Sequence, residues 1–164
     1  MQAIENEVPL PPDDAPVAVI GLGYVGLPLA AALGARRRVV GFDVDASRVA
    51  ELRRGHDRTR ELSAETLAAA AGLELSSDPA VLEGCAVYIV AVPTPIDPSH
   101  EPDLGPLREA TTLVAGVLKR GDLVIYESTV YPGTTEEICV PILEAGSGLR
   151  FNVDFSCGYS PERV

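Results

Sequence analysis

The chain has 164 residues, of which 46% are hydrophobic, and this is enough to bury one core in a single domain. Its formal net charge is −11 and no basic stripe is present, which excludes a surface that binds nucleic-acid backbones. No apolar run approaches the length of a membrane span and no basic, then apolar leader is present, so a cytoplasmic protein without a membrane segment is expected.

The three cysteines, Cys85, Cys139 and Cys157, lie far apart in the sequence and lack metal-ligand spacing. They predict neither a disulfide framework nor a metal site, and they suit a reducing compartment. Residues 1–15 are acidic and rich in proline. They predict a flexible tail ahead of one folded domain that spans 16–164.

Four apolar residues, 17–20, predict a buried strand that runs directly into glycines at positions 21, 23 and 26. The spacing G-x-G-x-x-G is typical of a dinucleotide-binding βαβ unit. Gly21 permits the tight turn, Gly23 lets a pyrophosphate approach the backbone, and Gly26 lets the next helix pack closely on the sheet. The first turn of that helix offers unpaired N–H groups to the phosphates.

A second apolar strand, 39–42, ends at Asp43, about 20 residues beyond the glycines. A carboxylate here accepts hydrogen bonds from the adenosine ribose and repels a 2′-phosphate, so NAD is favoured over NADP. The alternative is that Asp43 caps the following helix. Because strand, glycines, helix, strand and acid follow one another in register, cofactor binding is the preferred interpretation.

The rest of the chain predicts helices that alternate with strands. Helices are expected over 45–55 with Asp45 as the cap, over 63–72 with Ser63 as the cap, and from Asp78 with Pro79 at the first helical position. Two more are expected over 103–118 with Asp103 as the cap, and over 136–144 from a capping box of Thr134 and Glu137. Strands are expected over 73–76, 86–92, 121–126 and 155–159. The alternation predicts an α/β fold: a Rossmann-type, doubly wound parallel sheet with helices on both faces.

Arg48 falls in the first turn of the helix over 45–55, where a cation opposes the helix dipole unless an anion compensates it. It is interpreted either as a contact to the adenosine end of the cofactor or as a solvated surface side chain. The strand over 86–92 is expected beside the first strand at the topological switch point, where ligands bind. Thr94 would then lie at the nicotinamide ribose, unless it is a turn residue that satisfies its own backbone.

Three motifs at strand ends, in this order, carry a family resemblance: Pro93-Thr94-Pro95, Glu127-Ser128-Thr129 and Ser160-Pro161-Glu162-Arg163. With them, residues 17–164 resemble the UDP-glucose/GDP-mannose dehydrogenase family, and within it the bacterial UDP-N-acetylhexosamine 6-dehydrogenases of Vi-antigen-type polysaccharide synthesis. The resemblance implies oxidation of a UDP-sugar primary alcohol to the uronic acid with two NAD, through a thioester on a cysteine.

Site residues follow from the resemblance by position. It implies that the three glycines hold the pyrophosphate, Asp43 the ribose, Arg48 the adenosine side, and Thr94 and Thr129 the nicotinamide half. It completes the cofactor-binding set with Tyr24, Val25, Pro93 and Ser128. Glu162 is implied as the general base of thioester hydrolysis.

The family's nucleophilic cysteine, its oxyanion-stabilising lysine and asparagine, and its UDP-binding half match no residues of this chain, and Cys157 is interpreted as a buried strand cysteine. The expectation is therefore the NAD-binding half of a nucleotide-sugar 6-dehydrogenase, inactive alone, whose full-length form is a homodimer that binds a nucleotide sugar. Two alternatives stay open: the NAD-binding half of a hydroxyacid-type dehydrogenase, and a non-catalytic fragment that binds NAD or a partner chain.

Overall fold

The computed structural model describes residues 8–160. The expected base Glu162 lies outside them, as does part of the tail expected over 1–15. Within the described part of that tail, Ala15 is buried and its carbonyl accepts a hydrogen bond from Arg37.

Six parallel strands form one sheet in the order β3-β2-β1-β4-β5-β6. The strands are β1 (Val17–Ile20), β2 (Val39–Phe42), β3 (Leu73–Ser76), β4 (Val87–Val90), β5 (Leu123–Tyr126) and β6 (Ser156–Tyr159). The order reverses between β1 and β4, which pair directly, with Val17 opposite Val87 and Ile20 opposite Val90. The predicted doubly wound sheet and its switch point are confirmed.

Five α-helices connect the strands within residues 8–160: α1 (Gly26–Gly34), α2 (Ala46–Arg53), α3 (Ala64–Ala69), α4 (Gly105–Val117) and α5 (Val140–Ser147). None of these helices has both the length and the apolar character needed to cross a bilayer. A short 3-10 turn, Pro79–Leu82, begins where a helix was expected, and a π-helical segment, Thr135–Cys139, runs into α5.

Alternate residues of the four central strands, β2, β1, β4 and β5, face two separate cores. One core joins residues such as Ile20, Phe42 and Tyr88 to α4 and α5, and the other joins Val19 and Val39 to α1 and α2. Because both faces of a parallel sheet are covered in this way, the central strands are apolar throughout and present no solvent-facing polar side. The loops at the carboxyl ends of the strands are left to form a site.

Three predicted helix caps are confirmed. The side chain of Asp45 accepts hydrogen bonds from the N–H groups of Ser47 and Arg48, that of Ser63 from Thr66, and that of Asp78 from Ala80.

The cap at Asp103 is wrong, because α4 begins at Gly105 with Leu104 before it. The Asp103 N–H donates to the carbonyl of Pro95, and its carboxylate accepts from the Gly105 N–H at 2.8 Å. The residue therefore closes a turn in the preceding loop, a local bond that competes with helix capping.

The capping box of Thr134 and Glu137 is also wrong. The Thr134 hydroxyl donates to the carbonyl of Tyr131 at 2.7 Å, and the Glu137 N–H donates to the carbonyl of Gly133. The segment that follows is π-helical, and α5 continues to Ser147, where Gly148 ends it in the left-handed conformation. The Glu137 N–H that a capping box would pair with the Thr134 hydroxyl is thus already bonded, and Thr134 has helical dihedral angles, whereas a cap residue is typically extended.

Candidate functional site

A cavity of about 420 Å³ opens at the carboxyl ends of β1, β2 and β4. Its walls are largely apolar and come from the strand ends and from α4. The predicted site residues in its lining are Gly21, Gly23, Asp43, Arg48 and Pro93. An apolar cleft with a few polar groups at a switch point is the usual form of a nucleotide site in this class of sheet.

The glycine loop explains the predicted spacing. Gly21 has φ +96°, and a Cβ on it would lie 2.8 Å from the carbonyl oxygen of Ala91. A Cβ on Gly26 would lie 1.7 Å from the carbonyl oxygen of Gly21. Gly23 has no atom within 4 Å of its Cβ position. Two glycines are therefore required by packing, whereas the third keeps the loop surface open for a ligand to approach.

Asp43 is tied to this loop by both carboxylate oxygens. Its Oδ2 accepts from the Leu22 N–H at 2.9 Å and its Oδ1 accepts from the Asp45 N–H at 2.9 Å. The helix cap is Asp45, so the capping interpretation of Asp43 is wrong. An ionised carboxylate has about four acceptor positions, which leaves Asp43 able to accept from hydroxyls in the cavity.

Arg48 is only 4% exposed, so the interpretation as a solvated surface side chain is wrong. Its Nε donates to the carbonyl of Leu22 at 2.9 Å, and its Nη2 lies 2.8 Å from Oδ1 of Asp57. Its Nη1 is buried and finds no hydrogen-bond partner among the described residues. A buried donor without a partner is costly, and in a cavity wall it favours a ligand acceptor.

The partner of Arg48, Asp57, was missed by the sequence analysis. Its carboxylate also accepts from the hydroxyl and N–H of Thr59 and from the N–H groups of Glu61 and Leu62. Burial alone raises the pKa of this carboxyl, but the hydrogen bonds from Thr59, Leu62 and Arg48 outweigh it and hold the pKa well below its usual value. The local signal was the Asp57-x-Thr59 spacing, which is typical of a side-chain turn.

The two hydroxyl-bearing loops are joined to each other. The Thr94 hydroxyl donates to the carbonyl of Thr129 at 2.7 Å, and the buried Ser128 hydroxyl donates to the carbonyl of Val92 at 2.7 Å. The interpretation of Thr94 as a turn residue that satisfies its own backbone is therefore wrong, since its partner is 35 residues away in sequence. These bonds hold the ends of β4 and β5 in one arrangement.

Tyr24 and Val25 are not brought into the cavity of Asp43. Tyr24 is 69% exposed, and together with Val25 it lines a separate pocket that also contains Glu61 and Glu127. The glycine loop thus has two faces: one turned to the ends of β1 and β2, the other to the end of β5.

The cysteines are poor nucleophiles. Cys85 and Cys139 are buried, and Cys157 on β6 is half-buried, which corrects the expectation that it is buried. Burial raises the pKa of each thiol, to about 12 for Cys157. Because the thiolate is the reactive form, burial disfavours nucleophilic attack by all three groups. No cluster of metal-ligating side chains is present within residues 8–160.

Comparison with known proteins identifies the family of this chain. Residues 15–164 match the family model described as the UDP-glucose/GDP-mannose dehydrogenase family, NAD binding domain. The chain is 58% identical over 151 residues to a UDP-N-acetyl-D-glucosamine 6-dehydrogenase of Pseudomonas aeruginosa, and 53% identical over 152 residues to one of Salmonella typhi. These alignments cover 92% and 93% of this chain but 36% of each relative.

A solved structure shares the fold. The UDP-D-ManNAc dehydrogenase of Pyrococcus horikoshii superposes with a TM-score of 0.82 at 38% identity, over 91% of this chain and 36% of that one. The chain thus spans about 36% of the length of the proteins it matches.

Proposed function

This chain belongs to the UDP-glucose/GDP-mannose dehydrogenase family and carries its NAD-binding domain, and from that premise we propose that it is the cofactor-binding half of a nucleotide-sugar 6-dehydrogenase. The substrate of the whole enzyme is a UDP-N-acetylhexosamine, whose primary alcohol is oxidised to the carboxylate with two NAD. The observation that carries the substrate assignment is the 58% identity to a UDP-N-acetyl-D-glucosamine 6-dehydrogenase across 92% of the chain.

The residues of the cavity fit NAD. The open surface of Gly23, next to the start of α1, suits the pyrophosphate, because helix N-termini offer N–H groups and a positive dipole. Asp43 faces the same cavity and accepts the ribose hydroxyls, and the unpaired Nη1 of Arg48 donates to the adenosine side. When bound, NAD supplies the hydride acceptor for oxidation of the alcohol.

The joined loops support the other end of the site. We assign Thr94 and Thr129 to the nicotinamide half of the cofactor site, and Pro93 and Ser128 to the same two loops. The support is the hydrogen bond from the Thr94 hydroxyl to the carbonyl of Thr129, which fixes the two loops relative to each other. Tyr24 and Val25 then border the cofactor from the opposite face of the glycine loop.

Glu162 is proposed as the general base that activates water for thioester hydrolysis. The support is its position in the Ser-Pro-Glu-Arg motif that follows β6. A base in that role must reach the attacking water and have a pKa suited to the working pH.

The full-length protein is proposed as a cytoplasmic homodimer. Three thiols without a disulfide support a reducing compartment. The family resemblance supports the dimer.

We expect Asp43→Ser to weaken NAD binding about 10- to 100-fold, which corresponds to losing hydrogen bonds to a charged acceptor. Calorimetric titration of wild type and variant with NAD and NADP measures this, with thermal unfolding recorded on the same samples. Asp14→Asn, which removes an equal charge from an exposed position, is the control and should bind NAD as the wild type does. Equal NAD affinity in wild type and Asp43→Ser would contradict the ribose assignment.

The whole activity is tested on the full-length protein by following NADH formation with UDP-N-acetylhexosamines and, separately, with small hydroxyacids. The expected result is NADH formation that depends on the UDP-sugar, with two NADH for each sugar converted. NADH formation with a hydroxyacid and none with any UDP-sugar would overturn the proposal in favour of the hydroxyacid-type alternative.

A further inference from the structure

A second arginine lines the cavity of Asp43. Arg58 lies in the loop after α2, and its side chain is 45% exposed. Its guanidinium is engaged by three acceptors from the start and middle of α2. Nη1 lies 3.4 Å from Oδ2 of Asp45, Nη2 donates to the hydroxyl of Ser47 at 3.0 Å, and Nε donates to the carboxylate of Glu51.

The position of this arginine matters because of what distinguishes NADP from NAD. The extra group is a phosphate on the adenosine ribose, and in related sheets an arginine near the acid at the end of β2 accommodates it. Arginine binds phosphate through two parallel N–H donors, which must be free to turn toward it. In this chain such an arginine is present, but its donors are directed to two carboxylates and a hydroxyl.

The charge around it is unfavourable to phosphate. Arg58 lies in a cluster with three carboxylates, those of Asp43, Asp45 and Glu51, while the other arginine that lines this cavity, Arg48, is paired with Asp57. Asp43 and Asp45 line the same cavity as Arg58, and Glu51 reaches it from the next turn of α2. A 2′-phosphate entering here meets a net negative field, and binding to Arg58 would require breaking its pair with Glu51.

We propose that Arg58 is a specificity-determining residue for the cofactor, held away from a 2′-phosphate by Asp45 and Glu51. NADP is then excluded by two features. One is the carboxylate of Asp43, and the other is the pair of carboxylates of Asp45 and Glu51 that bind Arg58, which we call the acidic clamp. The inference rests on the proposed function, in which Asp43 receives the adenosine ribose.

Glu51 is the residue to substitute in order to release Arg58 from the acidic clamp. Asp45 also caps α2 through the N–H groups of Ser47 and Arg48, so its removal would disturb the helix. The carboxylate of Glu51 pairs with Arg58, and alanine is a strong helix former at that position. Glu83, an exposed acid beyond the 3-10 turn and outside the cavity, supplies a matched removal of one charge.

The experiment titrates NAD and NADP calorimetrically into the wild type and four variants: Asp43→Ser, Asp43→Ser with Glu51→Ala, Asp43→Ser with Glu83→Ala, and the Asp43→Ser, Glu51→Ala pair with Arg58→Met added. Opening the clamp is expected to tighten NADP binding about tenfold relative to Asp43→Ser alone. The Glu83→Ala control should leave NADP affinity unchanged, and Arg58→Met should remove the gain. The gain in NADP affinity should shrink at high salt, because Arg58, which would pair with the 2′-phosphate, is partly exposed to solvent.

Two results would overturn the inference alone while NAD still binds the wild type. One is equal NADP affinity in Asp43→Ser with and without Glu51→Ala. The other is a gain that persists after Arg58→Met. A wild type that binds neither NAD nor NADP would instead overturn the cofactor site of the proposed function, and the inference with it.

Discussion

Replacing Gly26 by alanine is expected to lower the free energy of unfolding by about 3–5 kcal/mol, which is large for a single methyl group. The added Cβ would lie 1.7 Å from the carbonyl oxygen of Gly21 and 3.2 Å from the Cβ of Ala91. The nearest of these atoms is backbone in the buried turn after β1, so no change of rotamer relieves the overlap. The start of α1 must move away from the sheet, and the packing of that face is lost.

Thermal and denaturant unfolding measure the effect, and a fall in midpoint temperature of about 10 °C or more is expected. Gly23→Ala is the matched control, because its Cβ meets no atom within 4 Å. It should change stability by less than about 0.5 kcal/mol while weakening NAD binding, since the methyl group occupies the surface assigned to the pyrophosphate. Equal stability losses at both positions would show that the two glycines are not divided between packing and binding.

Asp57→Asn is the second substitution with a large expected effect, a loss of about 3–5 kcal/mol at neutral pH. The side chain of Asp57 is inaccessible to solvent and pairs with Arg48, which is itself only 5% exposed. Removing the negative charge leaves a buried guanidinium without its counter-ion. The amide that replaces it also has one acceptor oxygen for donors that two oxygens now satisfy. Urea unfolding of the wild type and the variant measures the loss.

The same substitution has a defined pH dependence. The folded-state pKa of Asp57 is depressed, so its contribution to stability is complete above the unfolded-state pKa, near 3.9, and is lost as pH falls toward the folded-state value. The difference in unfolding free energy between wild type and Asp57→Asn should therefore be constant near neutrality and shrink steadily below about pH 4.

Asp14→Asn serves as the control for this experiment, because it removes the same charge, one carboxylate, from an exposed position. Its stability should remain within about 0.5 kcal/mol of the wild type at neutral pH. A difference between wild type and Asp57→Asn that stays constant from neutral pH to pH 2 would mean that the ion pair does not shift the titration of Asp57.

Features set by neighbouring residues were predictable from the sequence. The apolar runs of the strands, the glycine spacing, the acid at the end of β2 and the caps at Asp45, Ser63 and Asp78 all depend on atoms a few residues apart. The alternation of strands and helices was then sufficient to predict the sheet order around the switch point, because parallel connections follow few topologies.

Where local prediction failed, a competing contact was present. Asp103 is a residue type that commonly caps helices, but its N–H donates to the carbonyl of Pro95, eight positions earlier. The Thr134 hydroxyl donates to the carbonyl of Tyr131 instead of accepting from the Glu137 N–H. Both residues form good local hydrogen bonds in either arrangement. The choice between arrangements depended on how the loops at the ends of β4 and β5 pack, which residue spacing does not encode.

The sequence by itself determined the class of fold, the glycine loop and the position of Asp43, because these follow from chain-local sterics and periodicity. Only the tertiary structure decided that Arg48 is buried against Asp57, that Thr94 bonds to Thr129, and that Arg58 faces the Asp43 cavity within an acidic clamp. Each of these depends on segments that meet only after the sheet has formed. In the unfolded chain, water can satisfy any charged or hydroxyl side chain. The sequence therefore does not distinguish the side chains that folding will bury against a specific partner.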